Sequence, residues 1–116
     1  MAVAGRLTTH VLDIMHGKPA AGMRIDLSII EDEHSHHLVS TFTNSDGRLD
    51  RPLLDGERFH PGIFLLDFHV RHYFALMDVA SPFLDIVPLR FVIGDETHYH
   101  VPLLVSPFAY STYRGS

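Results

Sequence analysis

His98 and His100 form a pair that is suited to acid–base catalysis or metal binding. They lie two positions apart in an alternating stretch, so a β-strand there directs both imidazoles to one face and Tyr99 to the other. Apolar residues continue the Tyr99 face, which predicts that this face is the core side. The histidine face is therefore expected to point outward or into an interface, where neutral imidazoles can accept protons near pH 7.

His10 is a third candidate, in a second alternating stretch over residues 7–13. Thr8 and Leu12 share its face of the predicted strand. The alternation leaves two interpretations open for His10 and His100, which are either functional groups or surface histidines with ordinary pKa values. The opposite face carries Leu7, Thr9 and Val11.

The chain has ten histidines, and abundance alone does not make each one functional. His16 lies in a predicted loop, and its role is ambiguous. Most of the others are predicted to be solvated surface residues, namely His34, His36 and His37 beside a polar turn, together with His60, His69 and His72.

Short alternating stretches separated by turn residues predict an all-β fold, a two-sheet β-sandwich of about eight strands. Residues 71–79 lack this alternation and are expected to hold the single short helix. Charged residues 31–35 predict a hairpin tip, and residues 44–47 predict a turn that delivers Arg48. The predicted strands cover residues 7–13, 23–29, 37–43, 62–70, 86–93, 98–105 and 108–114.

Two prolines restrict how the predicted strands pair. Pro88 and Pro102 lie inside strands, and a proline has no N–H for the ladder. We expect their strands to be edges, or to pair only where no N–H is needed. Residues 49–61, with two further prolines and a glycine, are expected to be irregular.

Composition limits the classes of protein that this chain can represent. Its 116 residues, 46% hydrophobic and 20% charged, predict one folded domain over residues 1–116. A net charge of -5 without any Lys/Arg run argues against nucleic acid or an anionic membrane as the main partner. The lack of cysteine excludes disulfides, thiolate catalysis and Cys-based metal sites. With neither a signal-peptide core nor about 18 consecutive apolar residues, a cytoplasmic protein is expected.

Motifs along nearly the whole chain resemble the transthyretin-like family of 5-hydroxyisourate hydrolases. The most specific is the closing tetrapeptide, residues 113–116. Residues 53–60 and 83–87 depart from the family pattern, which puts packing detail in doubt rather than the site. The similar segments are residues 9–13 and 17–20 for the opening signature, 46–48 for a third motif, 61–62 and 73–75 before the end, and 98–104, 106–107 and 110–116 for the closing block.

This resemblance implies a fold, an assembly and a site. The family fold is a sandwich of eight strands with one short helix. Four subunits form a homotetramer, a dimer of dimers, and the first strand and the last two strands would line a channel between the dimers. Ser111 shares a strand face with Tyr113 and is a candidate wall residue. The implied active-site residues are His10, Arg48, His100, Tyr113, Arg114, Gly115 and Ser116.

The implied reaction is hydrolysis of a ring amide C–N bond in 5-hydroxyisourate, a small molecule of urate breakdown. A neutral imidazole can take the proton of the attacking water. Arg48 can hold the flat, carbonyl-rich substrate and stabilise the oxyanion, while Tyr113 adds a hydrogen bond and narrows the channel. We assign the base to His100 and the orienting role to His10, although the sequence does not separate the two. No cofactor and no metal are expected.

Three other functions are alternatives to this one. The related transthyretins carry thyroid hormone. At the positions equivalent to His10, Arg48, His100 and Tyr113, however, transthyretins have a lysine, a glutamate and two threonines, so the resemblance to them does not extend to the site. Arg48 and Tyr113 should obstruct such a large aromatic ligand. A zinc site on His10, His98 and His100 is the second alternative, and it conflicts with Arg48, which would repel a cation. A purely structural domain is the third, and it predicts that His10 and Arg48 can be changed without consequence.

Overall fold

Two stacked β-sheets and one short helix form the structure, a computed structural model that describes residues 5–115. The helix is α1 (Val70–Ala75), and a single 3₁₀ turn covers Gly56–Arg58. The predicted all-β sandwich is confirmed. The strands are β1 (Arg6–Asp13), β2 (Lys18–Pro19), β3 (Arg24–Glu31), β4 (His34–Phe42), β5 (Leu54–Asp55), β6 (Gly62–His69), β7 (Ile86–Ile93), β8 (Tyr99–Val105) and β9 (Tyr110–Thr112).

The strand order brings the two ends of the chain together. One sheet has the order β2-β1-β8-β9, with β5 also paired to β1, and the other has the order β4-β3-β6-β7. β1 and β8 run parallel, whereas the other described strand pairs are antiparallel. Their register pairs Leu7 with Tyr99 and continues to Asp13 with Val105. Residues some ninety positions apart in sequence therefore become lateral neighbours.

Alternation along β1 and β8 decides which side chains enter the core. Leu7 and Leu103 are fully buried, and Tyr99 is 7% exposed. Burial of a leucine side chain contributes about 1.5–3 kcal/mol to stability. His10 and His100 lie on the opposite face of the same sheet and are half-buried. The predicted faces of both strands are therefore confirmed, with Leu7 and Tyr99 on the core side and His10 and His100 on the opposite side.

The short helix expected within residues 71–79 is α1, which begins one residue earlier, at Val70, and ends at Ala75, because the segment contains its own termination signal. Asp78 adopts the left-handed conformation with φ 59. The N–H of Val79 donates to the carbonyl of Phe74 at 3.0 Å, and the N–H of Asp78 donates to that of Ala75 at 3.1 Å. This is the pair of hydrogen bonds that closes a Schellman motif, so the chain leaves the helix after six residues.

The predicted hairpin joins β3 to β4 through a two-residue turn. Asp32 and Glu33 both have positive φ, 52 and 65. Two successive left-handed residues match the twist of paired strands, which explains why the loop needs only two residues. The exposed β4 carries His34, His36 and His37 into solvent, as predicted.

The two strand prolines have different positions. Pro88 lies in the edge strand β7, as expected. Pro102 lies in β8 between two neighbours, and its carbonyl accepts a 2.7 Å hydrogen bond from Thr112 Oγ1.

The last strand, β9, is limited to three residues rather than the predicted 108–114. The segment expected to be irregular contains β5 and the 3₁₀ turn. Within residues 5–115, no helix is long and apolar enough to cross a membrane.

Candidate active site

A hydrogen-bonded pair of imidazoles lies at the centre of the site. Thr8 pairs with His100 in the parallel register, and His10 follows two residues later on the same face. Nδ1 of His10 and Nε2 of His100 are 2.7 Å apart, and the rings stack with centroids 4.8 Å apart. A second hydrogen bond of 2.7 Å joins Nδ1 of His100 to Thr8 Oγ1. Both ring nitrogens of His100 are therefore engaged.

The hydrogen-bonded chain extends to a third histidine. Thr8 Oγ1 lies 3.0 Å from Nε2 of His98, which is half-buried on the same face as His100. The four side chains form one continuous series from His10 through His100 and Thr8 to His98. Each of its three hydrogen bonds needs one proton, so the tautomers of the three rings are coupled.

Arg48 reaches the site through a turn that its neighbours define. Its backbone pairs with His10 in an isolated antiparallel bridge. Asn44 holds the turn from both sides, because its N–H donates to the Arg48 carbonyl at 2.7 Å and its Oδ1 accepts from the Arg48 N–H at 3.2 Å. Gly47 has φ 72, and a Cβ there would lie 2.5 Å from the Val11 carbonyl oxygen. This glycine is required by both backbone conformation and space.

Burial and Arg48 keep both central imidazoles neutral at pH 7. Burial lowers the pKa of His10 below its ordinary value of 6.5, and the positive charge of Arg48 lowers it further. The pKa of His100 is lowered by burial first, and then by His10, Arg48 and His98. Neutral imidazoles keep a lone pair for accepting a proton, which is the form that a general base requires.

Residues 113–115 of the closing tetrapeptide fold back towards the strand that carries His100. The N–H of Gly115 donates to the His100 carbonyl at 2.6 Å, and a Cβ at Gly115 would lie 2.9 Å from Cδ2 of that histidine. The Arg114 guanidinium donates to the His98 carbonyl at 3.1 Å and lies 3.9 Å from the centre of the Tyr99 ring. It thus secures the tail in this subunit. Ser116, the last predicted site residue, lies outside the described residues.

An open cavity of about 610 Å³ gathers most of the predicted site residues. His10, Arg48 and His100 line it, together with the tail from Tyr113 to Gly115. Ser111 does not; it pairs with Leu104, on the same face of the sheet but further along. The other lining residues are Arg6, Thr8, Thr9, Leu49, Asp50, Arg51, Pro52 and His98.

Sequence reasoning missed two cationic residues of this cavity. Arg6 shares the face of Thr8 and His10, and the alternation contained this signal one residue before the predicted strand began. Arg51 lies in the segment after Arg48, where no local sequence pattern predicts that its side chain lines the cavity. Because Asp50 is the one carboxylate on the described lining, the cavity has an excess of positive charge that suits an electron-rich ligand.

Two histidines outside the cavity form hydrogen bonds with carboxylates. His16, which was ambiguous, shares a 2.6 Å hydrogen bond with the buried carboxylate of Asp13. His69 was predicted to be a solvated surface residue, but it is half-buried and bonds to Asp26 at 2.8 Å. The position of Asp26 on the adjacent strand β3 explains the difference, because the sequence pattern does not reveal strand neighbours.

The geometry around His10 bears on the zinc alternative. No group of three or more His, Cys, Asp or Glu side chains in residues 5–115 converges as metal ligands do. Two nitrogens bound to one tetrahedral zinc would be about 3.3 Å apart. The nitrogens of His10 and His100 lie 2.7 Å apart, which is the spacing of a shared proton.

Comparison with known proteins identifies the family. A model described as "HIUase/Transthyretin family" matches residues 7–115. This chain belongs to the HIUase/Transthyretin family. One family relative, "5-hydroxyisourate hydrolase 2" of Rhizobium meliloti strain 1021, is 52% identical over 120 residues, which cover 100% of each chain. The predicted family membership is confirmed.

Solved structures agree with this membership. The crystal structure of an (S)-allantoin synthase superposes with a TM-score of 0.92 at 45% identity, and the match covers 98% of this chain but 44% of that one. Sea bream transthyretin in complex with thyroxine has a TM-score of 0.87 at 25% identity, with 95% and 94% of the two chains covered. The fold is therefore shared with proteins that bear different names.

Proposed function

We propose that this protein hydrolyses 5-hydroxyisourate by opening a ring amide C–N bond in urate breakdown. The observation that carries the proposal is the hydrogen-bonded pair of His10 and His100 beside Arg48 on one cavity. The pair supplies a proton acceptor, and Arg48 supplies a permanent cation. A full-length relative at 52% identity that is named a hydrolase supports an enzyme of the hydrolase class.

His10 is the general base in this mechanism. His100 was the base favoured from sequence, but both of its ring nitrogens have partners, at His10 and at Thr8. Nε2 of His10 has no hydrogen-bond partner within residues 5–115, and His10 lines the cavity. Its lone pair can therefore accept the proton of a water as the water oxygen attacks the substrate carbonyl. His100 orients the His10 ring through the hydrogen bond on Nδ1.

Arg48 and Tyr113 act on the substrate. As the carbonyl carbon becomes tetrahedral, negative charge develops on its oxygen, and a fixed guanidinium stabilises that charge more than it stabilises the neutral carbonyl. Tyr113 lines the same cavity and is 58% exposed in one subunit, so its hydroxyl is available to the substrate. The remaining cations, Arg6 and Arg51, attract the electron-rich ring.

The active form is a homotetramer, a dimer of dimers, built from one domain that spans residues 1–116 and acts in the cytoplasm. Large apolar side chains that one subunit leaves exposed support an assembly, because exposed apolar groups of this size are commonly covered by partner subunits. Among them, Val92 is 63% exposed, Phe108 64% and Tyr110 43%. Sedimentation equilibrium would test the assembly, and a stable monomer at assay concentrations would contradict it.

The decisive experiment follows the ultraviolet decay of 5-hydroxyisourate generated freshly from urate and urate oxidase. Wild type should accelerate the decay, while His10→Ala, His100→Ala and Arg48→Ala should each lose most of the acceleration and remain folded. His36→Gln, on the exposed face of β4, is the control and should act like wild type.

If wild type leaves the spontaneous rate unchanged, the hydrolase proposal is wrong. The thyroxine-bound sea bream structure then makes ligand binding without turnover the next function to test. An activity that disappears with a chelator and returns with zinc would instead support the metal alternative.

A further inference from the structure

The mechanism above leaves two polar side chains of the site without a role. Thr8 and His98 both line the cavity, and they continue the hydrogen-bonded series beyond His100 at 2.7 Å and 3.0 Å. A hydroxyl that only oriented His100 would need no second partner. A threonine hydroxyl placed between two imidazole nitrogens can accept a proton from one ring and donate its own to the other.

The proton positions in this series follow from the role of His10. A base at Nε2 of His10 must carry its proton on Nδ1, which then donates to Nε2 of His100. Neutral His100 must then carry its proton on Nδ1 and donate it to Thr8 Oγ1, and the Thr8 hydroxyl donates to Nε2 of His98. All three rings are neutral in this arrangement, and every bond in the series has one proton.

We propose that Thr8 and His98 complete a proton relay in which a proton taken up at His10 leaves positive charge on His98. The inference rests on the proposed hydrolase function and assigns two further residues to it. Thr8 is the connecting group, and His98 is the group that holds the charge while the tetrahedral intermediate exists. His100 transfers protons from His10 to Thr8, in addition to orienting His10.

Each step of the relay conserves atoms and charge. The water oxygen forms a bond to the carbonyl carbon, the carbonyl π pair moves to its oxygen, and the water proton passes to Nε2 of His10. The proton on Nδ1 of His10 moves to His100, the proton on Nδ1 of His100 moves to Thr8, and the Thr8 hydroxyl proton moves to His98. When the C–N bond breaks, the nitrogen leaves with the electron pair and takes the proton from Nε2 of His10. The other protons then return, and no co-reactant is needed.

The positive charge of Arg48 explains why a relay is useful at this site. Arg48 disfavours positive charge on both His10 and His100, and it lowers the pKa of each. Arg48 must nevertheless stay close, because it stabilises the oxyanion. A relay that moves the positive charge on to His98 lets His10 act as a base although a fixed cation lies beside it.

Steady-state kinetics of four variants test the relay. Thr8→Val keeps the shape of the side chain but removes the hydroxyl, and His98→Gln keeps a hydrogen-bonding group but cannot hold a proton. Each should lower kcat by about 10²-fold with little change in KM, because a single proton transfer contributes 10²–10⁴-fold. Thr8→Ser should restore much of the rate that Thr8→Val loses. His36→Gln should retain the wild-type rate.

A proton inventory in mixtures of H₂O and D₂O separates a relay from a structural role. Wild type should give a curved plot, because several protons move in the rate-limiting step, and His98→Gln should give a linear one. A hydroxyl that only orients His100 predicts that Thr8→Val is slow while His98→Gln keeps full activity; that result would overturn the relay. A wild type that does not accelerate the reaction would refute the hydrolase proposal itself, so the two failures are distinguishable.

Discussion

The backbone N–H of Gly115 donates a 2.6 Å hydrogen bond to the carbonyl of His100, so the tail of the chain is fixed directly to the strand that carries one imidazole of the candidate site. The contact is close enough that side chains are excluded. A Cβ at position 115 would lie 2.9 Å from the imidazole carbon Cδ2 of His100. The position of the ring and the position of the tail therefore depend on each other.

Gly115→Ala should lower kcat by about 10- to 10²-fold, since the added methyl group displaces the His100 ring or the tail and small misplacements of catalytic groups have effects of this size. The free energy of unfolding should change little, because Tyr113 and Arg114 are exposed and Gly115 is only half-buried. Ultraviolet decay of the substrate and urea denaturation measure the two quantities.

Gly94→Ala is the matched control, because the nearest atom to a Cβ there is 3.9 Å away. Equal activity of Gly115→Ala and Gly94→Ala would contradict the coupling of the tail to His100.

Arg48 should set the acid limb of the pH–rate profile. The active form of His10 is neutral, and burial and Arg48 hold its pKa below 6.5, so wild-type kcat/KM should fall only at pH values below 6.5. Arg48→Gln removes one cause of the lowered pKa. The acid limb should therefore move to higher pH, and kcat should fall by about 10²–10³-fold as the oxyanion loses its cation.

Arg71→Gln is the control for charge, because Arg71 is exposed on α1 and does not line the cavity. The acid limb of the pH–rate profile of Arg71→Gln should match that of wild type. An Arg48→Gln profile whose limb stays in place would show that Arg48 does not act on the pKa of the base. The other charged or titratable groups that line the cavity with His10 in both proteins, among the described residues, are Arg6, Asp50, Arg51, His98, His100, Tyr113 and Arg114.

The buried carboxylate of Asp13 should contribute to stability only above its lowered pKa. Burial alone would raise the pKa of Asp13, but hydrogen bonds from His16 and Tyr73 outweigh burial and lower it below 3.8. Tyr73 donates at 2.8 Å and links α1 to β1. Tyr73→Phe should lower the free energy of unfolding at pH 7 by about 1–3 kcal/mol, the usual effect of leaving a buried polar group without a partner.

The pH dependence of that loss checks its cause. A carboxyl group whose pKa is lower in the folded protein than in the unfolded chain contributes fully to stability at pH values above its pKa in the unfolded chain. That contribution disappears as the pH falls through its pKa in the folded protein. The difference between wild type and Tyr73→Phe should therefore shrink as Asp13 becomes protonated. Urea denaturation between pH 7 and pH 3 measures it, with Arg71→Gln, which is exposed on α1, as control. A difference that is independent of pH would exclude the carboxylate as the cause.

Glu33→Gly should raise the free energy of unfolding by about 0.5–1 kcal/mol, because the substitution removes the strain of a left-handed non-glycine residue. It also creates Asp-Gly, a pair that two-residue hairpin turns favour. Thermal denaturation measures the change. Glu31→Gly, two residues earlier in β3, is the control and should destabilise. Destabilisation by Glu33→Gly as well would contradict this description of the turn.

Local sequence determined much of the molecule. The alternation of apolar and polar residues predicted which faces of β1 and β8 enter the core. The residue types before Arg48 predicted the turn there, and both features depend only on neighbours in sequence. The sequence predicted a short helix within residues 71–79 but not where it ends, because hydrogen bonds around Asp78, rather than a change of composition, end α1.

Only the tertiary structure decided how the site is connected. The parallel register that pairs Thr8 with His100 joins residues that are far apart in sequence, and no local periodicity specifies which strands become neighbours. This register engages both nitrogens of His100, whereas Nε2 of His10 has no hydrogen-bond partner within residues 5–115, which is the reason for proposing His10 rather than His100 as the base. Residue types supplied the chemical groups, while strand pairing decided which nitrogen of which ring is available to act.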